Sequence, residues 1–314
     1  MHLDIRAYKK RKKYYLAHSF RFDGKIRKIR QYLGSNLTKE QLKEKRKAAE
    51  SAIKEKTAAY KAIRGPFKTA ISPAELEQLK TLEARGDIRV LHLTEGDWAR
   101  FTERFVYDTN AIEGSTVTLP EVLGMLKEDK WPRKRTKWEI SETYGLAEAV
   151  KYIRNAKARL SLDLMKKLHE LVFKNSKGFA GNFRSKGEEV AVVDASGNVI
   201  HRGAPSTMVT KLLEEIVGWY EKNREKYPPI VLAAVVHNQF EMVHPFRDGN
   251  GRVGRLLLNF ILLKHGLPPV NIELKNRKEY YHALREYQDN SNIRPGIELV
   301  LKEYKNLKKT IKKG

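Results

Sequence analysis

The sequence predicts a mainly α-helical fold, a helical bundle that carries one internal β-hairpin and follows a small N-terminal antiparallel β element. Three observations lead there. Apolar residues recur at helical spacing from about Thr94 to Lys308, period-two alternation is confined to the first 34 residues and to Glu188–Ala204, and Gly, Pro and capping residues punctuate the boundaries.

Ile5–Tyr8, Tyr14–Phe22 and Lys25–Leu33 are expected to form two or three short strands. Asp23-Gly24 suits the second turn because Gly accepts positive φ, and Lys9–Lys13 would make a basic first turn. Along the middle run, Tyr14, Leu16, His18 and Phe20 alternate with Tyr15, Ala17 and Ser19, so one face is apolar. A sheet this small needs something to pack on. From Thr38, three residues before Gln41 in a capping-box pattern, to about Arg64 the chain is rich in Lys, Glu and Ala and reads as a solvated connecting helix. Gly65-Pro66 ends it and Ser72-Pro73 starts another.

Further helices are expected around Trp98–Ile112, after the capping box Thr118-Leu119-Pro120-Glu121, and over Glu139–Ala158, Leu162–Phe173, Thr207–Asn223, Ile230–Val243, Gly251–His265, Arg277–Asp289 and Ile297–Lys308. Within Glu188–Ala204, Val190, Val192 and Val199 alternate around Ser196-Gly197-Asn198, the pattern of a hairpin. The expected divisions are 1–36 for the basic β element, 37–93 for a helical connector and 94–310 for the main domain.

The 314 residues and 41% hydrophobic content allow a sizeable core. No apolar run is long enough for a membrane span, and no apolar segment precedes the first basic cluster, so neither a membrane protein nor a secreted one is expected. The absence of cysteine excludes disulfides and thiolate metal sites and fits a cytoplasmic location. A net charge of +24 points to anionic partners, nucleic acid or a nucleotide among them.

The chemistry concentrates in His244-Pro245-Phe246-Arg247-Asp248-Gly249-Asn250-Gly251-Arg252-Val253-Gly254-Arg255. Pro245 disfavours helical geometry at His244, which places the histidine on a loop at a helix end. Gly249 and Gly251 let successive backbone N–H groups converge at the start of the next helix, an anion nest. Arg252 and Arg255, three residues apart, are expected to project together toward that nest, and two guanidinium forks suit a polyphosphate. Asp248 offers one hard oxygen to Mg²⁺, Asn250 a hydrogen bond to a phosphoryl oxygen, and His244 a near-neutral base for a hydroxyl proton. Phe246 reads as a core anchor, and His237 with His244 lacks the third ligand that a metal site needs.

This segment resembles the signature of the Fic family, His-x-Phe-x-Asp/Glu-Gly-Asn-Gly-Arg-x-x-Arg, at every fixed position. The resemblance extends over about Thr94–Lys308, through Gly181-Asn182-Phe183-Arg184 and Tyr280-Tyr281, and it implies a Fic-type bundle whose flap is residues 188–204. It implies His244 as base, Asp248 as the Mg²⁺ ligand, and Gly249, Asn250 and Gly251 around the α- and β-phosphates of ATP. Arg252 and Arg255 would hold the β- and γ-phosphates, and Tyr281 would line the adenine or ribose side. The implied activity is transfer of AMP from ATP to a Ser, Thr or Tyr hydroxyl of a target protein. The flap, with Val190, Val192 and Val199, would hold that target by edge pairing.

Thr109-Asn110-Ala111-Ile112-Glu113-Gly114 is similar to the family's inhibitory pattern, with Thr109 and Glu113 one helical turn apart. A Glu113 carboxylate on Arg255 would occupy the fork meant for the γ-phosphate. Removal of AMP, or another donor such as UTP, GTP or CDP-choline, is the alternative on the same site, and self-association into a homodimer fits related domains. A different class of reading is a nucleic-acid-binding scaffold with a vestigial domain, using the basic N-terminus and Tyr14, Tyr15 and Phe20.

Overall fold

The computed structural model describes residues 1–8, 11–22, 24–64, 66, 71–84, 93–193 and 199–311. The chain forms two compact units, Met1–Gly65 and Pro66–Gly314.

In the first unit β1 (His2–Tyr8), β2 (Arg11–Phe22) and β3 (Lys25–Ser35) make an antiparallel sheet in sequence order. Gly24, at φ +69°, takes the left-handed geometry expected of the second turn, while Asp23 lies outside the described residues. Lys9 and Lys10 of the expected basic turn also lie outside them, but Arg11, Lys12 and Lys13 are strand, paired with Tyr8, Ala7 and Arg6. The helix α1 (Lys39–Arg64) starts at the reciprocal Thr38/Gln41 cap.

The expectation of a solvated connector is corrected here. Ala49, Ile53, Thr57, Tyr60 and Ile63 form a buried stripe, and Ala49 and Ile53 share a core with Leu16, Ile29 and Leu33 of the sheet. Phe20 and Phe22 meet Tyr60 edge-on at 5.8 and 6.3 Å. The helix is therefore the lid that a three-stranded sheet needs, and the division falls after residue 65 instead of at 36 and 93.

The second unit comprises α2 (Pro73–Ala84), α3 (Glu95–Ile112), α4 (Leu119–Glu128), α5 (Lys137–Asn155), α6 (Leu162–Phe173), the hairpin β4 (Ala191–Val193) and β5 (Val199–Arg202), then α7 (Val209–Asn223), α8 (Pro229–Val243), α9 (Asn250–Lys264), α10 (Arg277–Asn290) and α11 (Arg294–Ile311). Capping boxes at Thr94/Asp97, Thr118/Glu121 and Thr136/Glu139 start α3, α4 and α5. α8 is apolar nearly all round, which dictates a central position, and it packs on α7, α9, α10 and α11. α9 is held in turn by α3, α5 and α6. The α8–α9 connection is thus fixed on both sides. No helix among the described residues is long and apolar enough to cross a membrane.

Candidate active site

The loop between α8 and α9 carries the signature. His244 caps α8 in the left-handed region, φ +51°, and its N–H still bonds the Phe240 carbonyl at 2.9 Å. Its Nδ1–H donates to the Glu241 carbonyl at 3.2 Å, which leaves Nε2 as the free acceptor. Burial, reinforced by His201 and Arg184, pushes the His244 pKa down to about 4, so the ring is neutral near pH 7.

Phe246, fully buried, stacks on His169 at 3.9 Å between centroids. His169 Nε2–H donates to the Asp248 carbonyl at 3.1 Å, and Nδ1 accepts the Gly181 N–H at 2.9 Å. One ring therefore ties the loop to the chain before the flap. Gly249, at φ +78°, has Phe173 ring carbons 2.2 and 2.3 Å from where a Cβ would stand, so no other residue fits.

Asn250 holds the loop from within. Its Oδ1 accepts the Phe246 N–H at 2.8 Å and its Nδ2 donates to the Phe246 carbonyl at 2.9 Å, and the residue is buried. The side chain braces the loop where α9 begins, and Asn250 lines the cleft.

The two arginines also separate. Arg255 is 2% exposed; its Nε donates to Thr109 Oγ1 at 2.6 Å, and its Nη2 donates to the Thr109 carbonyl at 3.0 Å and to Glu113 Oε1 at 2.7 Å. Its Nη1 donates to the Tyr280 hydroxyl at 3.2 Å. Burial would lower its pKa, but Tyr280 and Glu113 hold it above the ordinary value. Arg252 instead turns to Glu142, Asn110 and the Phe173 ring, its guanidinium carbon 4.5 Å from the ring centroid. The two guanidinium groups do not converge as a pair.

Glu113 follows the last residue of α3, and Gly114, at φ +94°, ends the helix as expected. The Glu113 Oε1 lies 2.1 Å from where a Cβ on Gly251 would stand, so the carboxylate rests on the N-terminus of α9 while it holds Arg255. The group that stands against the first turn of α9 belongs to the chain itself.

A cleft of about 440 Å³ opens over this floor, lined by Glu113, His201, Glu241, His244, Asp248–Gly251, Tyr280, Tyr281 and the cations Arg247, Arg277 and Arg285 among others. The Tyr281 hydroxyl reaches the Ile112 carbonyl at 3.5 Å. Asp248, with 47% of its side chain exposed, contacts Lys177 at 3.1 Å and Arg252 at 3.7 Å. Although burial would raise its pKa, Arg252 and Lys177 hold it below the usual carboxylate value. An ionised, cleft-facing carboxylate fits a cation shared with phosphates, and no cluster of three or more His, Cys, Asp or Glu among the described residues offers a metal cage.

The hairpin pairs Ala191 with Arg202, Val192 with His201 and Val193 with Val199. Val190 accepts the Gly203 N–H at its carbonyl, 3.0 Å away. The side chains of Val192 and Val199, and residues 194–198 with Ser196-Gly197-Asn198, lie outside the described set.

Three residues escaped the sequence reading as parts of the site. Arg184 donates to the carbonyls of His244 (2.8 Å), Glu188 (2.9 Å), Val243 (3.1 Å) and Ala204, joining the hairpin base to the α8–α9 loop. His201 Nε2–H donates to the Met242 carbonyl at 3.1 Å, with its ring 6.1 Å from that of His244. Glu241 lines the cleft with its Oε2 3.9 Å from His244 Nδ1, and burial, together with Glu113 and against Arg255, pushes its pKa up to about 8. Only Arg184 carried a signal, its place in Gly181-Asn182-Phe183-Arg184.

The family pattern described as Fic/DOC family matches residues 159–262. A protein adenylyltransferase Fic of Nematostella vectensis is 32% identical over 201 residues, covering 62% of this chain and 45% of the relative. The protein of the same name in Drosophila melanogaster is 30% identical over 234 residues, covering 71% and 46%. A crystal structure of a Fic family protein from Desulfovibrio desulfuricans superposes with a TM-score of 0.65 at 25% identity, covering 79% of this chain and 75% of the other. The chain spans less than half the length of these two curated relatives.

Proposed function

The chain belongs to the Fic/DOC family through its domain at residues 159–262, and on that premise we propose that it is a protein adenylyltransferase restrained by Glu113. ATP is the co-substrate, and the acceptor is a Ser, Thr or Tyr hydroxyl of a target protein. The observation that carries the reading is a neutral His244 with Nε2 free, set beside a helix N-terminus and a buried arginine held by an internal carboxylate that stands against Gly251.

The backbone N–H groups of Asn250 and Gly251 receive phosphate oxygens, as helix N-termini do, while that of Gly249 is held by Asp248 Oδ1 at 2.6 Å. Arg255 serves the terminal phosphate once Glu113 has left it. The acceptor oxygen attacks the α-phosphorus, the bond from that phosphorus to the bridging oxygen breaks, pyrophosphate leaves, and the hydroxyl proton goes to His244 Nε2. Asp248 would hold Mg²⁺, which supplies neutralisation of phosphate charge. Arg252 fixes α9 through Glu142, and Asn250 fixes the loop through the main chain of Phe246.

The test is covalent labelling of the protein with α-labelled ATP. Glu113→Gly should raise labelling about tenfold or more, and His244→Ala in the Glu113→Gly background should abolish it; general-base loss costs roughly a hundredfold or more. Equal labelling of wild type and Glu113→Gly removes the restraint, and labelling by γ-labelled ATP instead removes adenylyl transfer. Glu113 and His244 line one cleft, so the same variants incubated with an AMP-modified protein test hydrolytic removal. A nucleotide panel read by intact mass tests the donor.

A further inference from the structure

The unit Met1–Gly65 is not used by the chemistry above. Its register sorts the side chains between two faces, since strand neighbours directly opposite share a face. One face carries Leu16, Ile29 and Leu33 onto α1. The other carries Arg6 on β1, Lys13 and Arg21 on β2, and Lys28 and Arg30 on β3, all exposed. Eleven of residues 1–36 are Lys or Arg and two are Asp, so the sheet as a whole is strongly positive. Asp4, the one acid on this face among the described residues, is already matched by Arg30 at 3.1 Å.

We propose that this outer sheet face binds double-stranded DNA through its phosphate backbones, a reading independent of the transferase assignment. Adjacent strands about 4.8 Å apart spread the cations across about 10 Å, and Lys13 to Arg21 along β2 covers about 27 Å. These dimensions suit β-strands laid in a major groove about 12 Å wide with phosphates on both rims. A single strand would be recognised by bases stacking on open aromatic planes. Here Tyr15 and Tyr32 close on each other, centroids 5.2 Å apart and tilted 50°, and the Arg6 guanidinium lies 5.4 Å from the Tyr15 centroid. Tyr32 stays half exposed and Ile26 is exposed on the same face, so the face is mainly cationic with one open ring, which the Tyr32→Ala variant tests. Tyr14 and Phe20, grouped with Tyr15 in the sequence reading, pack against the α1 side.

The experiment is fluorescence anisotropy of a labelled, mixed-sequence duplex with the full chain across a salt series. Each phosphate contact contributes about 0.9 to the slope of log K against log salt. The triple variant Lys13→Ala/Arg21→Ala/Lys28→Ala should lose affinity at least tenfold and reduce the slope by about 2 to 3, with circular dichroism unchanged. A matched triple on the other unit, Lys134→Ala/Lys151→Ala/Lys157→Ala, should change affinity less than twofold, as should Tyr32→Ala. Equal losses from both triples would reduce the binding to general charge. No binding, tighter binding to a single-stranded oligonucleotide or to anionic vesicles than to the duplex, or a Tyr32→Ala loss matching the cation triple would each overturn the proposal.

Discussion

Two arginine–carboxylate pairs sit at the head of α9, three residues apart in origin, and they are built for opposite purposes. Arg252–Glu142 is closed on both sides, with 8% and 11% of the side chains exposed, and joins α9 to α5. In Arg255–Glu113 the guanidinium is 2% exposed but the carboxylate is 29% exposed and faces the cleft. Arg255 also keeps Thr109 and Tyr280 if Glu113 leaves, whereas Arg252 without Glu142 keeps the long Asn110 contact and the half-exposed Asp248. The pair that can part is the one whose carboxylate is the more exposed and whose cation keeps the shorter hydrogen bonds, at 2.6 and 3.0 Å to Thr109.

Glu142→Ala should cost about 3 kcal/mol of unfolding free energy in urea, the lower end for breaking a buried pair. Asn250→Ala follows at about 2 kcal/mol, because the Phe246 N–H loses its acceptor inside the loop. Asn250→Asp, which keeps an acceptor, should recover part of that loss. Glu113→Ala should cost less, about 1.5 kcal/mol after discounting for solvent, while raising labelling. A cost equal to that of Glu142→Ala would erase the distinction between brace and latch.

The smallest effect concerns Glu241, whose pKa rises from 4.5 to about 8 on burial. Between those values the native state holds a proton that the unfolded state has released, so this residue makes stability fall as pH rises from about 5 to 8. Glu241→Gln should therefore gain on wild type across that range, by on the order of 1 kcal/mol because the cleft admits water. Denaturation curves that stay parallel at both pH values would show that Glu241 is ionised throughout.

The sequence disclosed local geometry well. The capping residues marked helix starts, Pro245 and Gly249 marked the loop, and Thr109 with Glu113 fell one turn apart on α3 as expected. What it could not disclose was the far partner of each side chain. Arg252 was read from its neighbours on α9, but Glu142 lies 110 residues earlier in the chain. α1 reads as solvated because Lys, Glu and Ala dominate its sequence, and its buried stripe has only two large aliphatics, Ile53 and Ile63. His169 and Glu241 act on backbone groups or through a buried field, which leave no trace in residue spacing, and Arg184 shows only through Gly181-Asn182-Phe183-Arg184.

The Arg184 hub works as a fixed datum. One guanidinium measures off both ends of the hairpin, at Glu188 and Ala204, against the carbonyls on either side of the α8 terminus. Changes at the tip then leave the base in register with His244. On the proposed function, the stretch that meets the target can drift in sequence and length to suit new targets without re-aiming the reaction.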